Sequence, residues 1–231
     1  MTNRPEMKKE WDRITDFIIE CVDGAPAKGV VLGVSGGIDS AVVLKLCVNA
    51  IGCGKVFGLF MPTEFTPPEE LADAERLCQD LGVKTQTVYM DPIVDVFLGA
   101  AGLGAVGALP RGNLTARARM LVLYLYANTR EYLVAGTTDK SEYFLGYYTK
   151  WGDGSNDFEP IMHLTKTQTR ELGAFLELPK SILERKSSPR LWADHEAEKE
   201  LGVTYEQIDA LLDRNARNVH KRVAIPSLLE E

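Results

Sequence analysis

The feature that most constrains the fold is a strand, a glycine turn and a helix that follow one another in residues 30–50. Residues 30–34 are apolar and rich in β-branched side chains, which is typical of a buried strand, and from Ile38 apolar residues return at helical spacing. The turn, residues 35–37, has the sequence Ser-Gly-Gly. Two adjacent glycines let a ligand approach the backbone closely, and the next helix directs its free amides at the same point. The sequence therefore predicts an anion-binding site at this turn.

The polar side chains around the turn indicate a phosphate that is bound together with a metal ion. Ser35 and Ser40 add hydroxyl donors, and the carboxylate of Asp39 can face a phosphate when a divalent cation lies between them. The common phosphate loop, GxxxxGK[ST], is excluded because no lysine follows the last glycine. The alternative is an ordinary glycine turn with a serine cap and no ligand.

The rest of the chain alternates between strand and helix patterns. Further strands are predicted at residues 55–62, 84–90 and 132–136, and helices at residues 6–22, 38–50, 68–81 and 113–132. Thr165 and Gln168 match a capping box that begins another helix. The alternation predicts an α/β fold, with a parallel sheet flanked by helices on both faces and a helical C-terminal part, in a single domain over residues 1–231. Ligands are then expected at the carboxyl ends of the strands.

The composition argues against several classes of protein. A net charge of -7 disfavours a protein that wraps long nucleic acid. The apolar runs fall short of the ~18 residues that cross a bilayer, and the N-terminus lacks the apolar core of a signal peptide. The cysteines show neither CxxC spacing nor a dense disulfide framework. We therefore expect a cytoplasmic protein that binds neither membranes nor nucleic acid.

Two stretches have more than one interpretation. Residues 99–109 contain GLGAVG, which matches the GxGxxG dinucleotide fingerprint as a string but precedes Pro110 and Arg111 instead of opening a helix. A mobile loop of small residues that acts as a lid is the favoured interpretation. The predicted helix over residues 113–132 is apolar around its whole circumference, which favours a second burial surface such as a dimer partner. The alternative is a central core helix.

Several blocks of the sequence resemble one enzyme family in the same order. SGGIDS resembles the pyrophosphate-binding loop of the N-type ATP pyrophosphatases, which include NAD synthetase, GMP synthetase and asparagine synthetase. Over roughly residues 10–222, the chain resembles the ammonia-dependent NAD synthetases in the blocks GNLTARARM, LVAGTTDKSEYFLGYYTKWGDG, PIMHLTKTQTREL, LGVTYEQIDALL and HKR. The resemblance implies the Rossmann-like layers of the adenine nucleotide alpha hydrolase-like fold.

The resemblance also implies which residues bind ligands. The ATP-binding residues would be Gly33, Val34, Ser35, Gly36, Gly37, Ile38, Asp39, Ser40, Thr137, Lys166 and Ser188. The residues that bind deamido-NAD would be Arg117, Lys150, Asp157, His220 and Lys221. The magnesium ligands would be Asp39 and Glu142. The family often has Thr at the position of Ser188.

The reaction implied by the resemblance is the amidation of deamido-NAD by free ammonia through an acyl-adenylate, with ATP as co-substrate and Mg2+ as cofactor. Lys166 would stabilise the pyrophosphate leaving group, and Asp153 is our candidate for the group that accepts a proton from ammonia. Because the synthetase pattern takes up the whole chain and Cys21 is misplaced for a glutaminase, we expect ammonia and not glutamine as the nitrogen source. The expected assembly is a homodimer.

Two other functions remain open from the sequence. One is a different adenylating ligase with the same loop, such as a tRNA-modifying enzyme, although the charge of -7 offers no basic surface for RNA. The other is a sensor that binds ATP without turnover. A sensor has less need of two metal-binding carboxylates, Asp39 and Glu142, than an enzyme has.

Overall fold

The computed structural model describes residues 4–214, which form a four-stranded parallel sheet with helices on both faces. The strands are β1 (Gly29–Gly33), β2 (Val56–Phe60), β3 (Lys84–Thr87) and β4 (Tyr132–Val134). The helices are α1 (Arg4–Gly24), α2 (Ile38–Ile51), α3 (Pro68–Asp80), α4 (Asp91–Ala100), α5 (Ala108–Arg130), α6 (Lys140–Leu145), α7 (Lys166–Phe175), α8 (Lys180–Leu183), α9 (Ala197–Leu201) and α10 (Tyr205–Arg214). The predicted α/β fold with a helical C-terminal part is confirmed.

The central position of β1 explains where the glycine turn lies. The strand order is β3-β2-β1-β4, and all pairings in the sheet are parallel. Val31 of β1 is in register with Phe57 of β2 and with Val134 of β4. The carboxyl ends of these three strands therefore lie at the same edge of the sheet, and the turn that follows β1 lies between its two neighbours. This is the edge at which parallel α/β sheets bind ligands.

Alternate residues of β1 pack against helices on opposite faces of the sheet. Val30 and Leu32 belong to a core that includes residues of α1, α2 and α7, whereas Val31 packs in a cluster with Ala127 of α5. This alternation is the one expected of a strand that is buried on both faces. Leu44 of α2 is completely buried as well. The glycine turn is thus anchored at both ends in the core.

The segment between β3 and β4 differs from the sequence prediction. The helix α4 is not predicted from the sequence, and α5 begins at Ala108 and not at Asn113. The GLGAVG run ends at Gly107, the N-cap of α5, so our expectation that it does not open a helix is wrong. Pro110 lies in the first turn of α5, where the missing amide hydrogen of proline removes no helical hydrogen bond. The run follows α4 and not a strand, so it lacks the strand that the dinucleotide fingerprint requires.

One side of α5 packs on the sheet while the other side exposes apolar side chains. Ala127 is buried in the cluster with β1 and β4, whereas Leu121 is 52% exposed and Leu125 is 65% exposed. A helix that served only as a core helix would cover both leucines. In residues 4–214 no helix, α5 included, combines the length and the apolar character needed to cross a bilayer.

Candidate active site

The glycine turn contains a backbone conformation that favours glycine at Gly36. The φ angle of Gly36 is 82°, and a Cβ atom at this position would lie 2.3 Å from the carbonyl oxygen of Glu70 in α3. Gly37 follows with extended backbone as the N-cap of α2. Glycine is therefore needed at Gly36 because the turn packs against α3.

Two serine hydroxyl groups hold the turn in shape. The Ser40 hydroxyl accepts a hydrogen bond from the Ser35 amide at 3.2 Å and donates one to the Gly37 carbonyl at 3.1 Å. The Ser35 hydroxyl accepts from the Gly37 amide at 3.2 Å. The amides of the first turn of α2 have no partners within the helix, so they can bind an anion. The turn is preorganised for this role.

The ammonium group of Lys166 lies among three carboxylates at the end of this turn. Lys166 Nζ is 2.7 Å from Asp39 Oδ2, 2.8 Å from Glu142 Oε1 and 3.1 Å from Asp139 Oδ2. The Lys166 side chain is completely buried. The predicted magnesium ligands, Asp39 and Glu142, therefore lie close together, because both contact the same nitrogen atom. We call these four residues the Lys166 cluster.

Helix capping sets the positions of the cluster residues. The Asp139 side chain caps α6 by accepting from the Glu142 amide at 2.9 Å, and Glu142 Oε2 accepts from the Asp139 amide at 3.4 Å. Thr165 and Gln168 form the predicted capping box at the start of α7, whose first residue is Lys166. Two neighbouring helix starts therefore supply three of the four charged groups.

Helix α10 supports the cluster from the C-terminal part. The Asp209 carboxylate accepts hydrogen bonds from the Ser141 hydroxyl at 2.5 Å and from the Thr167 amide at 2.8 Å. Ser141 Oγ also accepts from the Lys166 amide at 3.0 Å. The Tyr205 ring centroid lies 5.1 Å from Lys166 Nζ. Asp209 thereby joins the starts of α6 and α7 to α10, and Tyr205 packs against the Lys166 ammonium. Neither residue was identified from the sequence as part of the site.

Burial dominates the electrostatics of the Lys166 cluster. Burial raises the pKa values of Asp139 and Glu142 above their ordinary values; the nearby Lys166 ammonium opposes this rise, and Asp39 adds to it. Burial also lowers the pKa of Lys166, but the three carboxyl groups outweigh it and hold this pKa well above its ordinary value. Lys166 therefore stays charged at neutral pH. A single ammonium faces three carboxyl groups, so the cluster attracts further positive charge.

The cluster suits a magnesium ion that is bound together with phosphate. Asp39 Oδ1 is buried and has no hydrogen-bond partner, so it is available to a cation. In nucleotide sites Mg2+ uses one or two carboxylates and completes its shell with phosphate oxygens and water. Within the described range, 4–214, no group of three or more His, Cys, Asp or Glu side chains is arranged to hold a metal ion. Asp39 and Glu142 thus fit an ion shared with a ligand and not an all-protein metal site.

A cavity of about 280 Å³ opens beside the turn and the cluster. Its walls include most of the predicted ATP-binding residues together with two others that we expect in the reaction: Gly33, Val34, Ser35, Gly37, Ile38, Asp39, Ser40, Thr137, Ser188, Glu142 and Asp153. Gly36 and Lys166 are not among the lining residues. Asp39 and Glu142 line the cavity, and the Lys166 ammonium contacts both of their carboxylates. Lys166 therefore acts on a ligand in the cavity by way of these two carboxylates.

Three of the residues predicted to bind deamido-NAD are described, and none of the three lines this cavity. The Arg117 guanidinium donates from Nε to the Lys150 carbonyl at 3.1 Å, which places these two residues together. The Asp157 carboxylate accepts from the Val134 amide at 2.7 Å and from the Tyr124 hydroxyl at 3.1 Å. Arg117, Lys150 and Asp157 do not line the cavity. The predicted residues His220 and Lys221 lie outside the described residues.

Residues 185–197 are tied to the glycine turn and α3 by arginines that the sequence did not reveal. Arg185 donates to the Gly36 carbonyl at 2.5 Å and pairs with Asp73 at 2.5 Å. Arg190 pairs with Glu70 at 2.7 Å. The predicted ATP-binding residue Ser188 lies in the same segment, and its hydroxyl donates to a carbonyl of that segment. The segment forms one wall of the cavity.

The comparisons with known proteins show which family the chain belongs to. A family model described as NAD synthase matches residues 10–228. The chain belongs to the NAD synthase family. An NH(3)-dependent NAD(+) synthetase of Staphylothermus marinus is 46% identical over 200 residues, which are 86% of this chain and 73% of that protein.

Solved structures of similar proteins also have this fold. The structure of an NMN synthetase from Francisella tularensis matches with a TM-score of 0.85 and 35% identity over 90% of this chain and 86% of that one. An NH3-dependent NAD synthetase from Campylobacter jejuni, in complex with the nitrate ion, matches with a TM-score of 0.74 and 36% identity over 90% of this chain and 87% of that one. The two neighbours are named for different products, NMN and NAD.

In this member of the NAD synthase family, Asp153 is placed where it can take up a proton. Its carboxylate accepts from the Thr149 amide at 2.9 Å, and it lines the cavity. Asp153 is exposed by surface area, and desolvation by nearby protein raises its pKa while the hydrogen bond from the Thr149 amide opposes the rise. A raised pKa makes a carboxylate a better proton acceptor.

A second acidic group, Glu159, is held at the end of β4. Its carboxylate accepts from the Thr138 amide at 3.1 Å and from the Asn156 side chain at 2.5 Å. A Cβ atom at Gly136 would lie 2.3 Å from this carboxyl group, so Gly136 leaves the space that it fills. Burial raises the pKa of Glu159 to about 7, against the opposing hydrogen bonds.

Glu159 should make the protein less stable as the pH rises. Its pKa is about 7 in the folded chain and near 4.5 when unperturbed, so between these values the folded state binds more protons than the unfolded state. The free energy of unfolding should therefore fall across this window, by on the order of 2–3 kcal/mol between pH 5 and pH 8. In Glu159→Gln this contribution should vanish, whereas exposed Glu184→Gln should keep it. Urea unfolding at pH 5 and at pH 8 measures the fall in the free energy of unfolding. An equal fall in wild type and in Glu159→Gln would contradict the raised pKa of Glu159.

Proposed function

We propose that this chain converts deamido-NAD to NAD with free ammonia and ATP, and releases AMP and pyrophosphate. The observation that carries the proposal is the Lys166 cluster, which joins Asp39 at the glycine turn to Glu142 at the carboxyl edge of the sheet. It occurs in a chain of the NAD synthase family whose relative from Staphylothermus marinus is named an NH(3)-dependent NAD(+) synthetase. That name supports ammonia as the nitrogen source.

The first half of the proposed reaction activates a carboxylate. The phosphates of ATP bind at residues 35–40, where the amides of α2 and the Ser35 hydroxyl stabilise negative charge. Asp39 and Glu142 would hold Mg2+, which supplies positive charge against the phosphates. The nicotinate carboxylate attacks the α-phosphorus of ATP, and pyrophosphate leaves. Lys166 would stabilise the leaving group through this magnesium site, because its ammonium holds Asp39 and Glu142 in place.

The second half of the reaction forms the amide. Ammonia attacks the carbonyl carbon of the acyl-adenylate, AMP leaves with the electron pair of the broken bond, and a proton must leave the nitrogen. Asp153 faces the cavity and accepts that proton. The chain binds and orients both substrates without forming a covalent bond to either. Arg117, Lys150, Asp157, His220 and Lys221 remain our proposed contacts to the dinucleotide.

A nicotinate mononucleotide is a second candidate acceptor. The neighbour with a TM-score of 0.85 is an NMN synthetase, whereas the NH3-dependent NAD synthetase from Campylobacter jejuni has a TM-score of 0.74. Both acceptors carry the same nicotinate carboxylate, so the same activation chemistry serves them. We favour the dinucleotide because the relative from Staphylothermus marinus is named for NAD(+).

Turnover assays with matched substrates test the proposed function. We expect pyrophosphate and NAD to form from deamido-NAD, ATP, Mg2+ and ammonium, with glutamine unable to replace ammonium. Asp39→Asn should lose at least about 100-fold in turnover because a metal-binding carboxylate is gone. Asp16→Asn, on the exposed surface of α1, should keep the wild-type rate.

Four outcomes would contradict parts of this proposal. A higher kcat/KM for nicotinate mononucleotide than for deamido-NAD would make the chain an NMN-forming enzyme. ATP binding without pyrophosphate release from either acceptor would favour the sensor, and turnover only with tRNA would favour the tRNA-modifying ligase. Wild-type turnover in Asp39→Asn would remove the metal assignment.

We further propose that two copies of this chain form a homodimer in the cytoplasm. Leu121 and Leu125 expose an apolar face on α5, and Val96 and Phe97 are exposed on α4, which contacts α5. A second copy would bury these side chains. A cytoplasmic location agrees with the free thiols of all four cysteines.

Sedimentation velocity tests the dimer. Wild type should sediment as a dimer, and Leu125→Glu should shift it to a monomer because a charge would be buried in the interface. Val203→Glu, which changes an exposed apolar residue between α9 and α10, should leave the dimer intact. A monomeric wild type, or a Leu125→Glu variant that remains dimeric, would contradict this proposal.

A further inference from the structure

Arg119 is an arginine of the cavity wall that the mechanism has not used, although it lies in the block GNLTARARM. Arg119 lies on α5, and together with Ala116, Met120 and Leu123 it lines the cavity. The spacing of these residues places them on one face of the helix. Arg117, two positions earlier, points instead to the Lys150 carbonyl.

Arg119 differs from the other cationic side chains of the cavity wall because it has no carboxylate partner. Arg185 pairs with Asp73 at 2.5 Å, Arg190 with Glu70 at 2.7 Å, and Lys186 contacts a glutamate at 3.4 Å. Among the described residues, no carboxylate oxygen lies within salt-bridge distance of Arg119. Its positive charge is therefore free to meet a ligand.

A hydrogen bond to the backbone holds one edge of the Arg119 guanidinium group in place. Its Nε donates to the Met61 carbonyl at 3.1 Å, at the carboxyl end of β2. Neither Nη atom donates a hydrogen bond to another residue in the described part of the chain. Burial lowers the pKa of Arg119, and Asp153 and Asp91 oppose this change, so the group remains a cation at neutral pH. A partly buried cation without a partner is unfavourable unless a ligand supplies the anion.

We infer that Arg119 binds the carboxylate of the nicotinate acceptor. This inference rests on the proposed function. The planar fork of an arginine matches the two oxygens of a carboxylate.

The position of Arg119 favours the acceptor carboxylate over the ATP phosphates. The phosphates already have the amides of residues 35–40 and the Lys166 cluster. Asp153, the proposed proton acceptor, shares the cavity wall with Arg119, and of the acidic groups it does most to raise the pKa of Arg119. Ammonia attacks the carbon of the acceptor carboxyl group, so this group must lie near Asp153. Both candidate acceptors carry the carboxylate, so the assignment holds for the dinucleotide and the mononucleotide.

The test compares binding of an acid with binding of its amide. Deamido-NAD has the carboxylate and NAD does not, while the rest of the two molecules is the same. Calorimetry with a nonhydrolysable ATP analogue and Mg2+ should show that Arg119→Gln weakens deamido-NAD binding by about 10- to 100-fold. NAD binding should change by less than about threefold. The KM for the acid should rise, and the KM for ATP should stay the same.

Two further variants keep the test decisive. Arg119→Lys keeps the charge but loses the fork, so its acid-to-amide ratio should lie between wild type and Arg119→Gln. It also replaces Arg119→Gln if that variant does not fold. Arg111→Gln, on the same helix but paired with Asp95 at 2.9 Å outside the cavity, should keep the wild-type ratio.

The outcomes separate this inference from the proposed function. An unchanged acid-to-amide ratio in folded Arg119 variants, with normal turnover by wild type, would overturn the arginine assignment alone. A rise in KM for ATP without a change in the ratio would assign Arg119 to the phosphates and also overturn it. If wild type makes no amide from either acid, the proposed function itself is wrong.

Discussion

The contact of one buried ammonium with three carboxylates is the interaction on which the site depends. Lys166 comes from the start of α7, Asp39 from the start of α2, and Asp139 and Glu142 from the start of α6. Any one of these charges would be unfavourable if it were buried alone. The parallel sheet makes the cluster possible, because the carboxyl ends of β1 and β4 are neighbours and α2 and α6 begin close to them.

The same interaction connects stability to chemistry. The three carboxyl groups keep Lys166 charged, and Lys166 holds Asp39 and Glu142 next to the phosphate-binding turn before any ligand arrives. Asp209 and Tyr205 extend this support to α10 at the far end of the described chain. The residues that would meet the nucleotide are therefore fixed by hydrogen bonds and burial, which is the preorganisation that phosphoryl and acyl transfer require.

Local signals in the sequence predict the turn, and long-range contacts account for what it does not predict. The strand, glycine turn and helix lie in consecutive residues, so their pattern is visible directly, as is the capping box of Thr165. Helix α4 begins with Asp91 and Pro92, a start signal that could have been recognised. The pairing of Arg185 with Asp73 and the orientation of Arg119 depend on which distant segments meet. Neither leaves a spacing pattern in a single sequence.

The most direct test of this account is a crystal structure of the protein with Mg2+ and a nonhydrolysable ATP analogue. The account predicts that the phosphates of the analogue bind the backbone of residues 35–40 and that one metal ion contacts both Asp39 and Glu142. Phosphates bound elsewhere, or an ion that contacts neither carboxylate, would contradict it.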